Sequence, residues 1–161
     1  MSKKSRLSKT KKNKKMNSQK KSLSNRFKIK KKIPMNLIGT KVALILLDIK
    51  NQIKIFHWQS KSYSEHKTLD KLFNILTERN DRWVETFMGK YGRIVLPHDT
   101  NLKLINKKKN ISVHNYLQIV SHILLDIQIE HFHDNYNSDL SNIFDEIISD
   151  INRACYLLTL R

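Results

Sequence analysis

From Leu37 to about Trp58, the apolar residues Ile38, Val42, Ile45, Leu46, Ile49, Ile53 and Phe56 recur at the spacing of one helix face. A second apolar set, Leu44, Leu47, Ile55 and Trp58, falls on the opposite side. A helix apolar on two faces needs two neighbours, which predicts contact with another subunit as well as with its own bundle. Pro34 suits the helix start and little else in a helix. The polar run 59–64 reads as a loop, with Ser62 and Glu65 spaced as a capping box for a second helix over about Glu65 to Met88. Its core face is Leu69, Leu72, Phe73, Leu76, Trp83, Val84 and Phe87, and Gly89 and Gly92 predict its end. Residues 93–111, with Pro97 and the run Lys107 to Lys109, keep no period. Extended, such a connection spans about 60 Å, enough to run the length of a bundle before the third helix.

That third helix, about Ser112 to Asp134, carries Val113, Tyr116, Leu117, Val120, Ile123, Leu124 and Ile127 inward. The fourth, about Ser138 to Leu160, carries Leu140, Ile143, Phe144, Ile147, Ile151, Ala154, Cys155 and Leu158. Strand alternation and solenoid repeats are absent from the sequence, so the expectation is all-α: a four-helix bundle with one long crossover between its second and third helices.

Charge divides the chain. Residues 1–33 hold fifteen of the 31 Lys and Arg and no Asp or Glu, so nearly all of the net charge of +17 lies there. A segment so basic and so poor in apolar residues predicts a disordered polycation on a folded domain spanning 34–161. Lys3, Lys4, Arg6, Lys9, Lys11, Lys12, Lys14, Lys15, Lys20 and Lys21 are the candidate contacts to nucleic acid, binding phosphates without sequence preference. Solubilising and nuclear-targeting roles use the same residues. Transit peptides favour Arg at amphipathic spacing, whereas this segment is mostly Lys with Ser and Asn. No apolar run is long enough to predict a membrane span, and no signal-peptide pattern follows the basic start. The single cysteine, Cys155, rules out a disulfide within one chain and predicts an intracellular protein, cytoplasmic or nucleoid-associated, or in a virion or viral factory if the source is viral.

The second helix carries two pairs of potential metal ligands four residues apart, His66 with Asp70 and Asp81 with Glu85. Imidazole and carboxylate together suit Fe(II). Asp70 and Asp81 are about 16 Å apart along a helix, too far to share a metal within one chain. The pairs are nevertheless reciprocal: the midpoint of 66 and 85 and that of 70 and 81 coincide between residues 75 and 76. A two-fold axis there sets one chain's His66 and Asp70 against the Asp81 and Glu85 of an antiparallel mate, giving two equivalent shared sites. His57, one short loop before His66, can join them. Without the mate these residues are the boundary polar positions of an amphipathic helix.

His57-Trp58, His66-x-x-x-Asp70 and Asp81-x-x-x-Glu85 resemble the ferroxidase motif of Dps-type mini-ferritins, DNA-protecting proteins of the ferritin-like superfamily. The resemblance implies that His57, His66 and Asp70 of one subunit and Asp81 and Glu85 of its two-fold mate bind iron at a mononuclear or di-iron interface site. It further implies oxidation of Fe(II), preferably by hydrogen peroxide, and ferric storage in a shell, usually of twelve subunits, with lysine-rich tails binding DNA. The motif covers about a quarter of the chain. The family commonly has about three more residues between the two histidines, and a Gly-Pro-rich segment where this chain has Gly89-Lys90-Tyr91-Gly92. The stretch from Phe56 to Arg93 also resembles uncharacterised ferritin-like proteins of large DNA viruses and phages.

His122, Asp126, Glu130 and His133 form a second His/carboxylate row on the third helix, but it points mostly away from the apolar face and has no counterpart on the fourth, which predicts a solvated surface. The competing functional expectation is a non-enzymatic, architectural nucleic-acid-binding protein on a ferritin-like scaffold, favoured by the shortened stretch after His57.

Overall fold

The computed structural model describes residues 17–28, 33–107 and 112–160, and these are helical wherever they are regular. Helix α1 covers residues 17–26, α2 Met35–Trp58, α3 Tyr63–Tyr91, α4 Val113–His131 and α5 Ser138–Leu157, with a 3-10 turn at Asn135–Asn137. The last four long helices share one core.

Contacts fix their directions. Gly39 of α2 faces Phe87 of α3, the Asn80 amide donates to the Leu46 carbonyl at 3.0 Å, and Lys54 lies 3.5 Å from Asp70. The first two long helices are therefore antiparallel. Phe56, near the end of α2, meets Tyr116, near the start of α4, edge to face. Helix α4 thus runs parallel to α3, and α5 returns beside both. Ser121 bonds Asn152 and Gln128 bonds Ser141 across α4 and α5, while Arg79 and Arg82 of α3 both pair with Glu146 of α5.

A parallel α3 and α4 require the crossover that the unpatterned stretch predicts, and two glutamines, Gln52 buried and Gln59 exposed, bind it. Gln52 donates to the Ile105 carbonyl and accepts from the Ile105 N–H, each at 2.8 Å, so its amide imitates a strand neighbour. Two turns on, Gln59 donates to the Asn106 side chain at 2.8 Å and accepts from the Lys107 N–H. The connection thereby follows α2, whose 24 residues rise about 36 Å.

The core contains every inward residue expected on α2 and α4, with an aromatic cluster at the far end: Trp83 stacks on Phe87 at 5.3 Å and meets Phe132 and Phe144 edge-on, each at 5.5 Å. Phe73, Val84 and Leu158 are only partly buried.

Several expectations need correction. The tail is not wholly disordered: residues 17–26 form α1, Phe27 is buried, and Arg26 forms an ion pair with Asp48 of α2. One aromatic and one ion pair anchor a helix that its own sequence could not hold. Lys20 and Lys21 are exposed on or beside that helix, whereas Lys3, Lys4, Arg6, Lys9, Lys11, Lys12, Lys14 and Lys15 lie outside the described residues. Burial pushes the Asp48 carboxyl above its ordinary range, and Arg26 acts against that shift. Tyr116, fully enclosed and close to Asp48, is pushed well above the usual phenol range by the same desolvation.

Gly89 does not end α3. The helix continues to Tyr91 and stops at Gly92, whose φ of 84° only glycine adopts freely. No capping box forms either. Ser62 Oγ meets Ser64 Oγ at 2.9 Å, and the Glu65 carboxylate pairs with Lys107 of the crossover instead. Ser112, by contrast, caps α4 by accepting from the Asn115 N–H. Helices α4 and α5 each end about three residues before the positions expected from periodicity.

Candidate metal-binding site

The short turn between α2 and α3 brings the last turn of one helix against the first turns of the next. His57 is 7% exposed although it is a polar residue at a helix end. Its ring lies 4.0 Å from that of His66, tilted by 31°. His57 Nδ1 is 3.1 Å from the His66 carbonyl oxygen. A carbonyl only accepts, so Nδ1 carries the proton and donates, and the tautomer is set. Nε2 faces Asp70 Oδ1 at 3.7 Å.

His57, His66 and Asp70 are therefore gathered at one end of the α2–α3 pair. His66 is exposed and the Asp70 side chain is 40% exposed, so the group opens outward. Lys54 was not singled out by the sequence reading. Its ammonium reaches Asp70 at 3.5 Å while lying over the Phe73 ring, 4.5 Å from its centre. One turn before His57 on the same side of α2, it was findable by helical spacing, but a lysine between two apolar stripes reads first as a solvated boundary residue.

Asp81 and Glu85 are not brought to this group. Both are exposed on the later half of α3, without a hydrogen bond or ion pair among the described residues. Three possible ligands meet in one chain and two stand apart, as the rise of the helix demands. Among the described residues, no group of three or more His, Cys, Asp or Glu in a single chain is arranged to hold a metal ion. The donor types suit Fe(II), while the number supplied by one chain falls short.

The surface beside these residues is unusually apolar. Trp58 is 68% exposed, Leu37 42% and Leu47 38%, all on the outer side of α2, with Leu44 and Ile55 half-buried between them. His122 and Asp126 on α4 and His133 just beyond its end are exposed, and His122 Nδ1 is satisfied by the Gln118 carbonyl at 2.8 Å, as expected of a solvated row. Cys155 is buried, and burial raises its thiol pKa, which suppresses thiolate chemistry. No helix among the described residues is long and apolar enough to cross a membrane.

No curated protein and no solved structure matches the chain. A family model does match, over residues 57–158, a span that opens at His57 and takes in α3, the crossover, α4 and α5. On that match the chain belongs to the family of unknown function DUF5856.

Proposed function

We propose that this chain is a Dps-like, iron-binding ferroxidase and iron-storage subunit on a ferritin-like bundle. In this reading it works as a two-fold pair, assembles into a closed shell, and engages DNA through its lysine-rich N-terminal segment. The observation that carries the reading is the arrangement of His57: Nδ1 is locked by the His66 carbonyl, and Nε2 points at Asp70 beside the His66 ring. A histidine whose distal nitrogen is held by a hydrogen bond is oriented as metal-ligating imidazoles are.

Two further features support the mate. Asp81 and Glu85 are exposed and unpaired among the described residues, available to another chain. The apolar outer stripe of α2, with Trp58 at its end, supplies the kind of surface an antiparallel copy would cover. Fe(II) enters such a site as substrate. Each of two ferrous ions gives up one electron, and hydrogen peroxide takes both together with two protons and leaves as two waters. The carboxylates stabilise the growing positive charge, and His57 and His66 contribute neutral nitrogen donors.

A second reading, an architectural nucleic-acid-binding protein on the same scaffold, is favoured by one observation. The Lys54 ammonium already occupies the flank of Asp70 and opposes a cation there. Anaerobic Fe(II) titration followed by peroxide, read by ferric absorbance, separates the two. The first predicts saturable binding and rapid oxidation that an Asp70→Ala, Glu85→Ala double variant loses. Equal traces from both proteins would leave the architectural reading.

A further inference from the structure

A cleft of about 670 Å³ lies between α1, the middle of α2 and the first half of the crossover. It lies well away from His57, and four cations line it: Arg26, Lys28, Lys41 and Lys103. Arg26 is spent on Asp48, and that pair neutralises the one carboxylate in the lining. Lys28, Lys41 and Lys103 have no ion-pair partner among the described residues. They come from three different segments, the residues after α1, the first half of α2 and the crossover, so their convergence is a product of the fold and not of a local lysine run.

Three uncompensated ammonium groups around one concavity repel each other and favour an anion that replaces their counterions. Asn25 of α1 and Thr100 of the crossover add neutral hydrogen-bonding groups to the lining. The character of the anion follows from what surrounds the cleft. Lys20 and Lys21 are exposed on or beside α1, and the sequence on either side of that helix adds Lys30 to Lys32 and the cations of residues 1–15. A cleft built partly from so basic a stretch of sequence suits a polymer of regularly spaced charges better than a single small anion. The lining has one aromatic, Phe27, which is buried and cannot stack on a base. Recognition through phosphates without base stacking fits a duplex rather than an unpaired strand.

We propose that this cleft, and not the tail alone, receives the phosphodiester backbone of a nucleic-acid duplex. The proposal deepens the nucleic-acid part of the function above and is independent of the iron chemistry. Docking of α1 by Phe27 and Arg26 then has a purpose: it builds one wall of the binding surface.

The test uses the full-length chain and a short blunt DNA duplex, with anisotropy measured over a salt series. Replacing Lys28, Lys41 and Lys103 together by Gln should reduce the steepness of log K against log salt by about 2.7, since each lost phosphate contact removes about 0.9. A control with Lys67→Gln and Lys71→Gln, exposed on α3, should keep the wild-type slope. In the wild-type complex, bound duplex should protect Lys41 and Lys103 from amine acetylation, a readout that needs no variant. Full steepness in the triple variant, or a bound duplex that leaves Lys41 and Lys103 of the wild-type protein reactive, overturns the cleft while sparing the tail. No duplex binding by wild type overturns both the cleft and the nucleic-acid reading it rests on. Protection by inorganic phosphate but not by duplex overturns the proposal in favour of a small-anion site.

Discussion

A Cβ added at Gly39 would lie 2.0 Å from Phe87 Cε1, and that ring has nowhere to go: it is fully buried and stacked on Trp83. At Gly89, also helical, an added Cβ meets nothing within 4 Å. The same substitution should therefore have opposite signs. In urea unfolding, Gly39→Ala should destabilise by about 1–3 kcal/mol through overpacking. Gly89→Ala should stabilise by up to about 1 kcal/mol through helix propensity. At Asp48, burial raises the native pKa above the ordinary 3.8, with Arg26 acting in the opposite sense. The native state then holds more protons than the unfolded chain between those two values. The contribution of Asp48 to stability accordingly falls as pH rises from about 3.8 through its raised native value. Arg26→Ala removes the opposing effect. Its deficit relative to wild type should grow from acid toward neutral pH in parallel melts, and the Asp48 carboxyl should titrate higher by NMR. A deficit that shrinks with rising pH would contradict this assignment.

Among the elements, the four long helices were legible because their apolar residues recur at one period and the buried positions largely match it. Helix α1 was not. Leu23 and Phe27 are too few to mark a helix in a lysine-rich stretch, and what anchors it is a long-range ion pair to a residue of α2. The end of α3 was misplaced because Gly89 and Gly92 look alike in sequence, while only Gly92 takes the positive φ that stops a helix. The crossover was legible as an absence of pattern, but its path was not: Gln52 carries no apolar signal and Gln59 reads as the start of a loop, whereas their amides bind backbone of the crossover. Gln52→Ala leaves both Ile105 backbone groups without their partner and should cost about 1–3 kcal/mol. Hydrogen exchange would check this directly, since the Ile105 amide should lose its protection while the amides of α4 keep theirs. Unchanged exchange at Ile105 would mean that the glutamine follows the crossover and does not hold it.

At the scale of the whole molecule, a single chain has an up-down-down-up bundle, with His57, His66 and Asp70 near the α2–α3 turn and, farther along α3, Asp81 and Glu85, which are unpaired among the described residues. That Asp81 and Glu85 stand too far along α3 from His66 and Asp70 to share a metal within one chain was readable because helical rise converts residue number into distance. The place of Lys54 against Asp70 was not, since it depends on how two helices face each other. Trp58, left 68% exposed, belongs at this scale too: Trp58→Lys should weaken self-association in native mass measurements while leaving far-UV helicity unchanged.

The shared site is tested most directly by subunit mixing. Asp70→Ala and Glu85→Ala proteins, each inactive alone, are dissociated together, reassembled and assayed for peroxide-dependent Fe(II) oxidation. In a mixed pair, one site carries both lesions and the other carries none. Random pairing should then restore about a quarter of the wild-type sites. No recovery, in a mixture shown by mass to contain the mixed pairs, would contradict a site built from two chains.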